Sequence, residues 1–131
     1  MQKLIEAAKE AQKNAYAPYS NFPVGAAIET ESGRVFTGAN VENAAFPLTR
    51  CAEQIAVGAM VTAGERRIRA VVIASTSSPP AAPCGACRQV LAEFASPETP
   101  IVCVNDRGEK RSYRLGELLP EAFSLRSAKS R

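Results

Sequence analysis

The chain has 131 residues, which is the size of one ordinary globular domain and too short for two. Its composition, 46% hydrophobic and 22% charged, excludes disorder over most of the chain, and no apolar run reaches the roughly 18 residues of a membrane span. The net charge of +3 comes from 16 basic and 13 acidic residues, and a short basic tail at 124–131 carries the excess, so a nucleic-acid partner is not expected for the neutral body.

The first third of the chain predicts a helix followed by a hairpin. Apolar residues repeat at helical spacing over 2–15, with Lys and Glu between them, which predicts an amphipathic helix. Two β-leaning segments, 22–29 and 34–40, flank a turn that contains Gly33. This arrangement is typical of two antiparallel strands.

A second helix and a buried strand are expected next. The helix fits residues 50–63, with Thr49 as its N-cap and Gly64 directly after its last residue. The run 70–74 is uniformly apolar, which predicts a strand that is buried on both faces.

The last third predicts one more helix, two strands and a short terminal helix. A third helix begins at Cys84 and ends near residue 95, before Ser-Pro. Residues 101–104 predict another buried strand, 110–115 a weaker one, and 115–119 a short helix.

The element order αββαβαββα indicates the fold. Its two strand-helix-strand units imply right-handed crossovers that place neighbouring strands parallel, with helices packed against the sheet. The predicted fold is therefore a three-layer α/β/α sandwich on a mixed sheet of about five strands. We expect it to form a single domain over 1–123, followed by the basic tail.

The chain has four cysteines and no histidine. The N-terminal segment lacks the apolar core of a secretory signal, so we expect free thiols in the reducing cytoplasm rather than a disulfide framework. The absence of histidine excludes imidazole-based catalysis and any His-ligated metal site.

Two cysteine motifs open predicted helices. Cys84 and Cys87 form a C-x-x-C pair, which by itself indicates a redox pair, half of a zinc site or two buried small side chains. Cys51 adds a third thiol at the start of the second helix, close to Glu53. Since Cys51 and Glu53 would point about 160° apart on an ideal helix, they can share a target only beyond the helix end. Two converging helix N-termini would favour thiolates there.

Three thiolates on one ion indicate catalytic chemistry. They leave one coordination position of Zn²⁺ open for water, as in catalytic rather than structural zinc sites. Zinc brings the pKa of that water close to neutral, and an adjacent carboxylate can accept the proton and pass it on. Zinc deaminases combine such ligands with a glutamate that does not bind the metal. Here the glutamate is Glu53. The remaining cysteine, Cys103, lies within an apolar strand and is expected to pack as a small hydrophobic residue.

The similarity extends well beyond the metal motif. The chain resembles the small homotetrameric cytidine deaminases over about residues 15–123. Six segments carry the resemblance in order: AYAPYS at 15–20, FPVGAA at 22–27, NVENA at 40–44, CAE at 51–53, PCGACRQ at 83–89 and LLPEAF at 118–123.

The resemblance implies a reaction and a metal centre. The reaction is hydrolysis of cytidine and deoxycytidine to uridine and deoxyuridine with release of ammonia, a step of pyrimidine salvage. One Zn²⁺ per chain would be held by Cys51, Cys84 and Cys87, and Glu53 would shuttle protons.

The resemblance also implies the substrate contacts. Phe22 would pack on the nucleoside, Asn40 and Glu42 would bind the ribose 3′-hydroxyl, and Ala52 would add a contact. Residues 40 and 42 face the same side of an extended segment, which fits a shared hydroxyl. Phe123 would come from a neighbouring subunit of a homotetramer with shared active sites.

Two residues depart from the family pattern. The residue after the catalytic Glu is commonly Arg, and here it is Gln54. Because three thiolates on Zn²⁺ sum to −1, another positive group must temper the charge, and the helix N-termini, Arg50 and Arg88 are alternatives. Phe46 stands where the family often has Tyr, which removes one hydroxyl contact.

Three other functions compete with this interpretation. A relative could deaminate another aminopyrimidine, such as blasticidin S, although both ribose-binding residues favour the nucleoside. A polynucleotide deaminase is disfavoured, because no aromatic-basic strip for single strands is visible. A non-catalytic zinc-binding or thiol-redox module would leave Glu53 without a role.

Overall fold

The structure, a computed structural model, describes residues 1–125, so most of the predicted basic tail lies outside the described residues. The helices and strands follow the predicted order, with one added 3₁₀ turn at Phe46–Leu48. Their bounds are α1 Gln2–Gln12, β1 Gly25–Thr30, β2 Val35–Ala39, α2 Ala52–Thr62, β3 Ile68–Ala74, α3 Gly85–Ala92, β4 Pro100–Val104, β5 Lys110–Arg114 and α4 Leu115–Leu118.

The five strands form one mixed sheet in the order β2-β1-β3-β4-β5. β3 and β4 are parallel neighbours, whereas β1 pairs antiparallel with both β2 and β3, and β4 with β5. The expectation of parallel neighbours is therefore confirmed for β3 and β4. It is wrong for β2 and β3, which run parallel but are separated by β1.

Helices cover both faces of the sheet, which confirms the three-layer sandwich. On one face, Leu4, Ile5 and Ala8 of α1 pack against one set of alternating strand residues, which includes Val72 and Val102. On the other face, the apolar residues of α2 and Leu91 of α3 pack against the opposite set. The alternation follows from the pleat, which sends successive side chains to opposite faces.

The helices are shorter than the sequence predicts. α1 ends at Gln12 rather than near residue 15, and α3 ends at Ala92 rather than near 95. α2 begins at Ala52, and its N-cap is Cys51, not Thr49. No helix within residues 1–125 has the length and apolar composition that crossing a bilayer would take.

A glycine allows α2 to approach the sheet closely. A Cβ atom at Gly38 of β2 would lie 2.5 Å from the carbonyl oxygen of Ala52 and 2.6 Å from the backbone nitrogen of Ala56. Only a residue without a side chain fits there. The first turn of α2, which follows Cys51 directly, is thereby held against β2.

Candidate active site

A cavity of about 230 Å³ opens at the edge of the sheet where β2 and β3 end. Because these two strands run parallel, their carboxyl ends meet at the same edge, which is the usual ligand position in such sheets. Asn40, directly after β2, and Ser75, directly after β3, both line the cavity. The first residues of α2 and α3 line it as well.

Three thiols meet in the lining of this cavity. Cys51 and Cys84 are the N-cap residues of α2 and α3, with extended backbone, and Cys87 is the third residue of α3. Neither N-cap side chain makes a capping hydrogen bond. The three Sγ atoms lie within 4.8 Å of one another and form the one cluster of three or more possible metal ligands in residues 1–125. Cys51 thus lies beyond the helix end, as its spacing from Glu53 requires.

The donor set fits a zinc ion. Tetrahedral zinc binds sulfur at about 2.3 Å, which places ligand sulfurs about 3.8 Å apart. Small shifts of these side chains would therefore bring all three sulfurs to bonding distance of one ion. The Cys87 thiol donates to the Cys51 sulfur and lowers the pKa of Cys51 to about 7. The same bond, together with burial, raises the pKa of Cys87, which acts as the donor. The cluster therefore favours a thiolate, the form that binds metal.

Glu53, the second residue of α2, lies beside the thiols without belonging to the ligand cluster. Its side chain is the one acidic group buried within residues 1–125, with 4% of the residue exposed. Burial raises the pKa of Glu53 above its ordinary value, because desolvation disfavours the carboxylate. A buried carboxyl group that faces a cavity and a cysteine cluster indicates a functional site.

Two side chains near the start of α2, which do not line the cavity, interact with the thiols. The Gln54 amide donates to the Cys87 sulfur over 3.9 Å. Arg50 donates to the carbonyls of Pro47 and Thr49 at 3.0 Å each, and its positive charge helps to lower the pKa of Cys51. Both therefore offset the negative charge that the thiolates bring.

Arg88, the third cation or amide considered for the thiols, hydrogen-bonds to backbone carbonyls. Its Nε donates to the carbonyl of Pro83 at 2.7 Å, and a terminal nitrogen donates to the carbonyl of Leu118 at 2.9 Å. Arg88 thus joins the loop before Cys84 to the end of α4.

Cys103 packs in the core and not at the cavity. It is fully buried in β4, among the residues beneath α2 and α3. Burial raises the pKa of its thiol to about 12. Cys103 does not belong to the ligand cluster, and the prediction that it packs as a small hydrophobic residue is confirmed.

Asn40, which also lines the cavity, fixes the segment that leads into β1. Its Oδ1 accepts a hydrogen bond from the Val24 N–H at 2.9 Å, and its Nδ2 donates to the Phe22 carbonyl at 2.9 Å. Asn40 is 9% exposed, so these bonds are largely shielded from water. They hold Phe22 against the cavity.

Glu42 fixes the preceding loop in a similar way. One carboxylate oxygen, Oε1, accepts from the backbone N–H groups of Tyr19 at 2.8 Å and Ser20 at 3.1 Å. The other, Oε2, accepts from the Ser20 hydroxyl. These bonds, led by that of the hydroxyl, lower the pKa of Glu42, because they stabilise its charged form.

Most of the predicted site residues line the cavity, whereas Phe123 does not. Phe123 is 67% exposed, and its carbonyl accepts a hydrogen bond from the Gln89 amide at 3.0 Å. The predicted residues that line the cavity are Phe22, Asn40, Glu42, Cys51, Ala52, Glu53, Cys84 and Cys87.

Sequence reasoning gave no role to six further lining residues. They are Ser20, Val24, Ile73, Ser75, Ala81 and Ala82. Ser75 could have been found from its position directly after a buried strand, and Ala82 from its place just before the PCGAC motif. Ser20 ends the AYAPYS motif, but its contact with Glu42 is not visible in the sequence.

Comparison with known proteins identifies the family. A family model described as "Cytidine and deoxycytidylate deaminase zinc-binding region" matches residues 1–103. A cytidine deaminase of Sporosarcina psychrophila is 43% identical over 124 residues, which are 95% of this chain and 91% of that protein.

Two crystal structures of cytidine deaminases share the fold. The one from Burkholderia pseudomallei has a TM-score of 0.89 at 48% identity and covers 93% of this chain and 98% of that chain. The one from Mycobacterium tuberculosis has a TM-score of 0.79 at 42% identity, with 95% and 97% covered. The chain, with three thiols placed to bind one metal ion, belongs to the cytidine and deoxycytidylate deaminase family of zinc-binding enzymes.

Proposed function

We propose that this protein hydrolyses cytidine and deoxycytidine at C4, giving uridine or deoxyuridine and ammonia. One observation carries the proposal. A single cavity is lined both by three converging thiols with a buried carboxyl group and by Asn40 with Glu42. The first group suits hydrolysis of a C–N bond, and the second suits recognition of a sugar hydroxyl.

Cys51, Cys84 and Cys87 are the residues that would hold the zinc. When bound by three thiolates, zinc supplies Lewis-acid activation of water at near-neutral pH. Arg50 and Gln54 offset the excess negative charge of that ligand set through the contacts described above.

Glu53 moves the protons of the reaction. One proton of the attacking water passes to ring N3 and stays in the product. The other passes to the amino group, which leaves as ammonia while the water oxygen becomes the C4 carbonyl. Glu53 suits this role because it faces the cavity, is buried and remains outside the ligand cluster. Positioned carboxyl groups of this kind contribute general acid–base catalysis.

Four residues bind the nucleoside. The Phe22 ring packs on it, Ala52 adds a contact beside Glu53, and Glu42 with Asn40 receives the ribose 3′-hydroxyl. Asn40 has capacity for this, because its two bonds to the backbone leave one lone pair on Oδ1 and one hydrogen on Nδ2.

We assign the active assembly to a homotetramer with shared sites, in which Phe123 of a neighbouring subunit packs against the base. Exposed apolar side chains support it: Phe46 is 86%, Tyr19 64% and Leu48 58% exposed. Tyr19 and Phe46 line a second depression of about 330 Å³ that shares Glu42 with the cavity. Such apolar surface is typical of interfaces. Sedimentation equilibrium is expected to give the mass of four chains, and a monomer mass would contradict the assignment.

The same proposal places the protein in the cytoplasm, as a single catalytic domain over 1–123 that acts in pyrimidine salvage. Cysteine thiols persist in a reducing compartment, and the described cysteines are free.

Absorbance assays with zinc-loaded protein test the function. Cytidine and deoxycytidine are expected to lose their cytosine absorbance, and a chelator is expected to stop the loss. Turnover of blasticidin S in place of both nucleosides would replace the proposal with the related aminopyrimidine deaminase. If zinc-loaded protein turns over none of the three compounds, the remaining interpretation is a non-catalytic zinc-binding module.

A further inference from the structure

Ser20 has no role in the chemistry described so far, although it lines the cavity. It lies between the cavity and the adjacent depression, in the loop that Glu42 holds. Its side chain and its backbone both bond to that carboxylate, which is the group proposed to receive the sugar.

The direction of each Ser20 hydrogen bond follows from the chemistry of its partner. A serine hydroxyl has one proton to donate and two lone pairs to accept with. The Phe22 N–H donates to Ser20 Oγ at 3.1 Å, which occupies one lone pair. A carboxylate can only accept, so the single proton is given to Oε2 of Glu42, and this bond helps to lower the pKa of that carboxyl group.

Counting acceptor sites shows how much of Glu42 remains for a ligand. A carboxylate has about four lone-pair sites on its two oxygens. The N–H groups of Tyr19 and Ser20 use Oε1, and the Ser20 hydroxyl uses one site of Oε2. One site remains, on Oε2, and it can accept one hydroxyl group.

We propose that Ser20 is a positioning residue, which holds Oε2 of Glu42 so that its one remaining acceptor site receives a single sugar hydroxyl. The inference rests on the proposed function, because it takes Glu42 as the anchor of the ribose. Without the Ser20 hydroxyl, Oε1 stays fixed by two backbone bonds, but Oε2 loses the protein contact that directs it. The effect of Ser20 therefore depends on whether the substrate has a hydroxyl to offer.

The test compares cytidine with 3′-deoxycytidine in wild-type and Ser20→Ala enzyme. Ser20→Ala is expected to raise KM for cytidine by about tenfold, as for a lost hydrogen bond to a charged group, and to change kcat far less. For 3′-deoxycytidine, the increase in KM is expected to be much smaller, because that substrate cannot use Glu42.

Two further variants control the test. Ser20→Thr keeps a hydroxyl and is expected to restore most of the cytidine affinity. Ser32→Ala removes a matched bond, from the Ser32 hydroxyl to Glu65 at 2.8 Å, far from the cavity, and is expected to leave both KM values unchanged. Since Ser20 and Ser32 are both exposed, neither alanine variant is expected to unfold, which thermal denaturation checks.

The outcomes distinguish a failure of this inference from a failure of the proposed function on which it rests. If Ser20→Ala raises KM equally for both substrates, or for neither, the role of Ser20 is wrong while cytidine deamination stands. If wild-type enzyme shows the same KM for both substrates, the ribose role of Glu42 is wrong, and the inference fails with it. If zinc-loaded wild-type enzyme does not deaminate cytidine, the proposed function itself fails.

Discussion

Two groups of residues line the cavity, and they are built by different means. The first group, which we call the metal end, is formed by Cys51, Glu53, Cys84 and Cys87 and lies at the starts of two helices that pack on the sheet. The second group, which we call the sugar end, is formed by Ser20, Phe22, Asn40 and Glu42 and lies on loops that side-chain hydrogen bonds hold together.

The difference concerns what fixes each group in place. Core packing and helix starts position the metal end. Each of its side chains has its own role, as a metal ligand or as the proton carrier, so the loss of one removes an essential part of the chemistry. Hydrogen bonds shared among several partners position the sugar end, so the loss of one leaves the others. We expect all-or-none effects at the first end and graded effects at the second.

The largest effect is expected from the ligands. Replacing Cys51, Cys84 or Cys87 with Ala is expected to remove both zinc and activity, because two thiolates alone do not hold the ion as three do. Metal content by mass spectrometry and cytidine turnover measure this. Cys103→Ala is the matched control and is expected to keep zinc at a cost in stability, since it empties space in the core. Loss of zinc in Cys103→Ala but not in Cys51→Ala would contradict the site.

Glu53→Gln is expected to separate chemistry from metal binding. The amide keeps the size and hydrogen bonding of the side chain but cannot accept a proton. Turnover of cytidine is therefore expected to fall by about 10²- to 10⁴-fold, while zinc stays at about one per chain, because Glu53 is not a ligand. Near-normal turnover by a zinc-loaded variant would remove the proton shuttle from the mechanism.

Asn40→Ala is expected to show the graded behaviour of the sugar end. It leaves the Phe22 carbonyl and the Val24 N–H without their partner, which is expected to destabilise the fold by about 2 kcal/mol and to raise KM for cytidine. Denaturant unfolding and steady-state kinetics measure the two effects. The exposed Asn14→Ala is the control and is expected to change neither. Loss of zinc in Asn40→Ala would show that the two ends are not independent.

The smallest effect is expected at Gln54. Gln54→Leu removes the amide that donates to the Cys87 sulfur and is expected to lower kcat by about fivefold with zinc retained. Gln54→Arg supplies a positive charge at the same place and is expected to keep zinc and activity. An unchanged kcat in Gln54→Leu would mean that Arg50 and the helix N-termini are sufficient.

The metal end could be predicted from sequence because its parts come in two short motifs, each at the start of a helix. Cys84 and Cys87 are three residues apart, and Cys51 lies two residues before Glu53, so each pair can reach a common target beyond the helix start. The N-cap of α2 was predicted wrongly as Thr49, because threonine is among the favoured capping residues and cysteine is not. In the structure, the Thr49 hydroxyl instead accepts from the Asn43 N–H at 3.1 Å.

The rest depends on contacts that sequence patterns do not contain. Apolar periodicity predicts that β1, β2 and β3 exist, but it does not predict that β1 lies between the other two. Ser20 and Glu42 are 22 residues apart in sequence and meet only through the loop conformation. The roles of Phe22, Asn40, Glu42 and Phe123 stay predictions until substrate binding is measured.

The most direct measurement is a side-by-side comparison of kcat and KM for cytidine in zinc-loaded Glu53→Gln and Glu42→Gln. If the metal end performs the chemistry and the sugar end binds the nucleoside, Glu53→Gln lowers kcat by at least about 10²-fold. Glu42→Gln then mainly raises KM. A fall in kcat of equal size in both variants would contradict this division between the two ends.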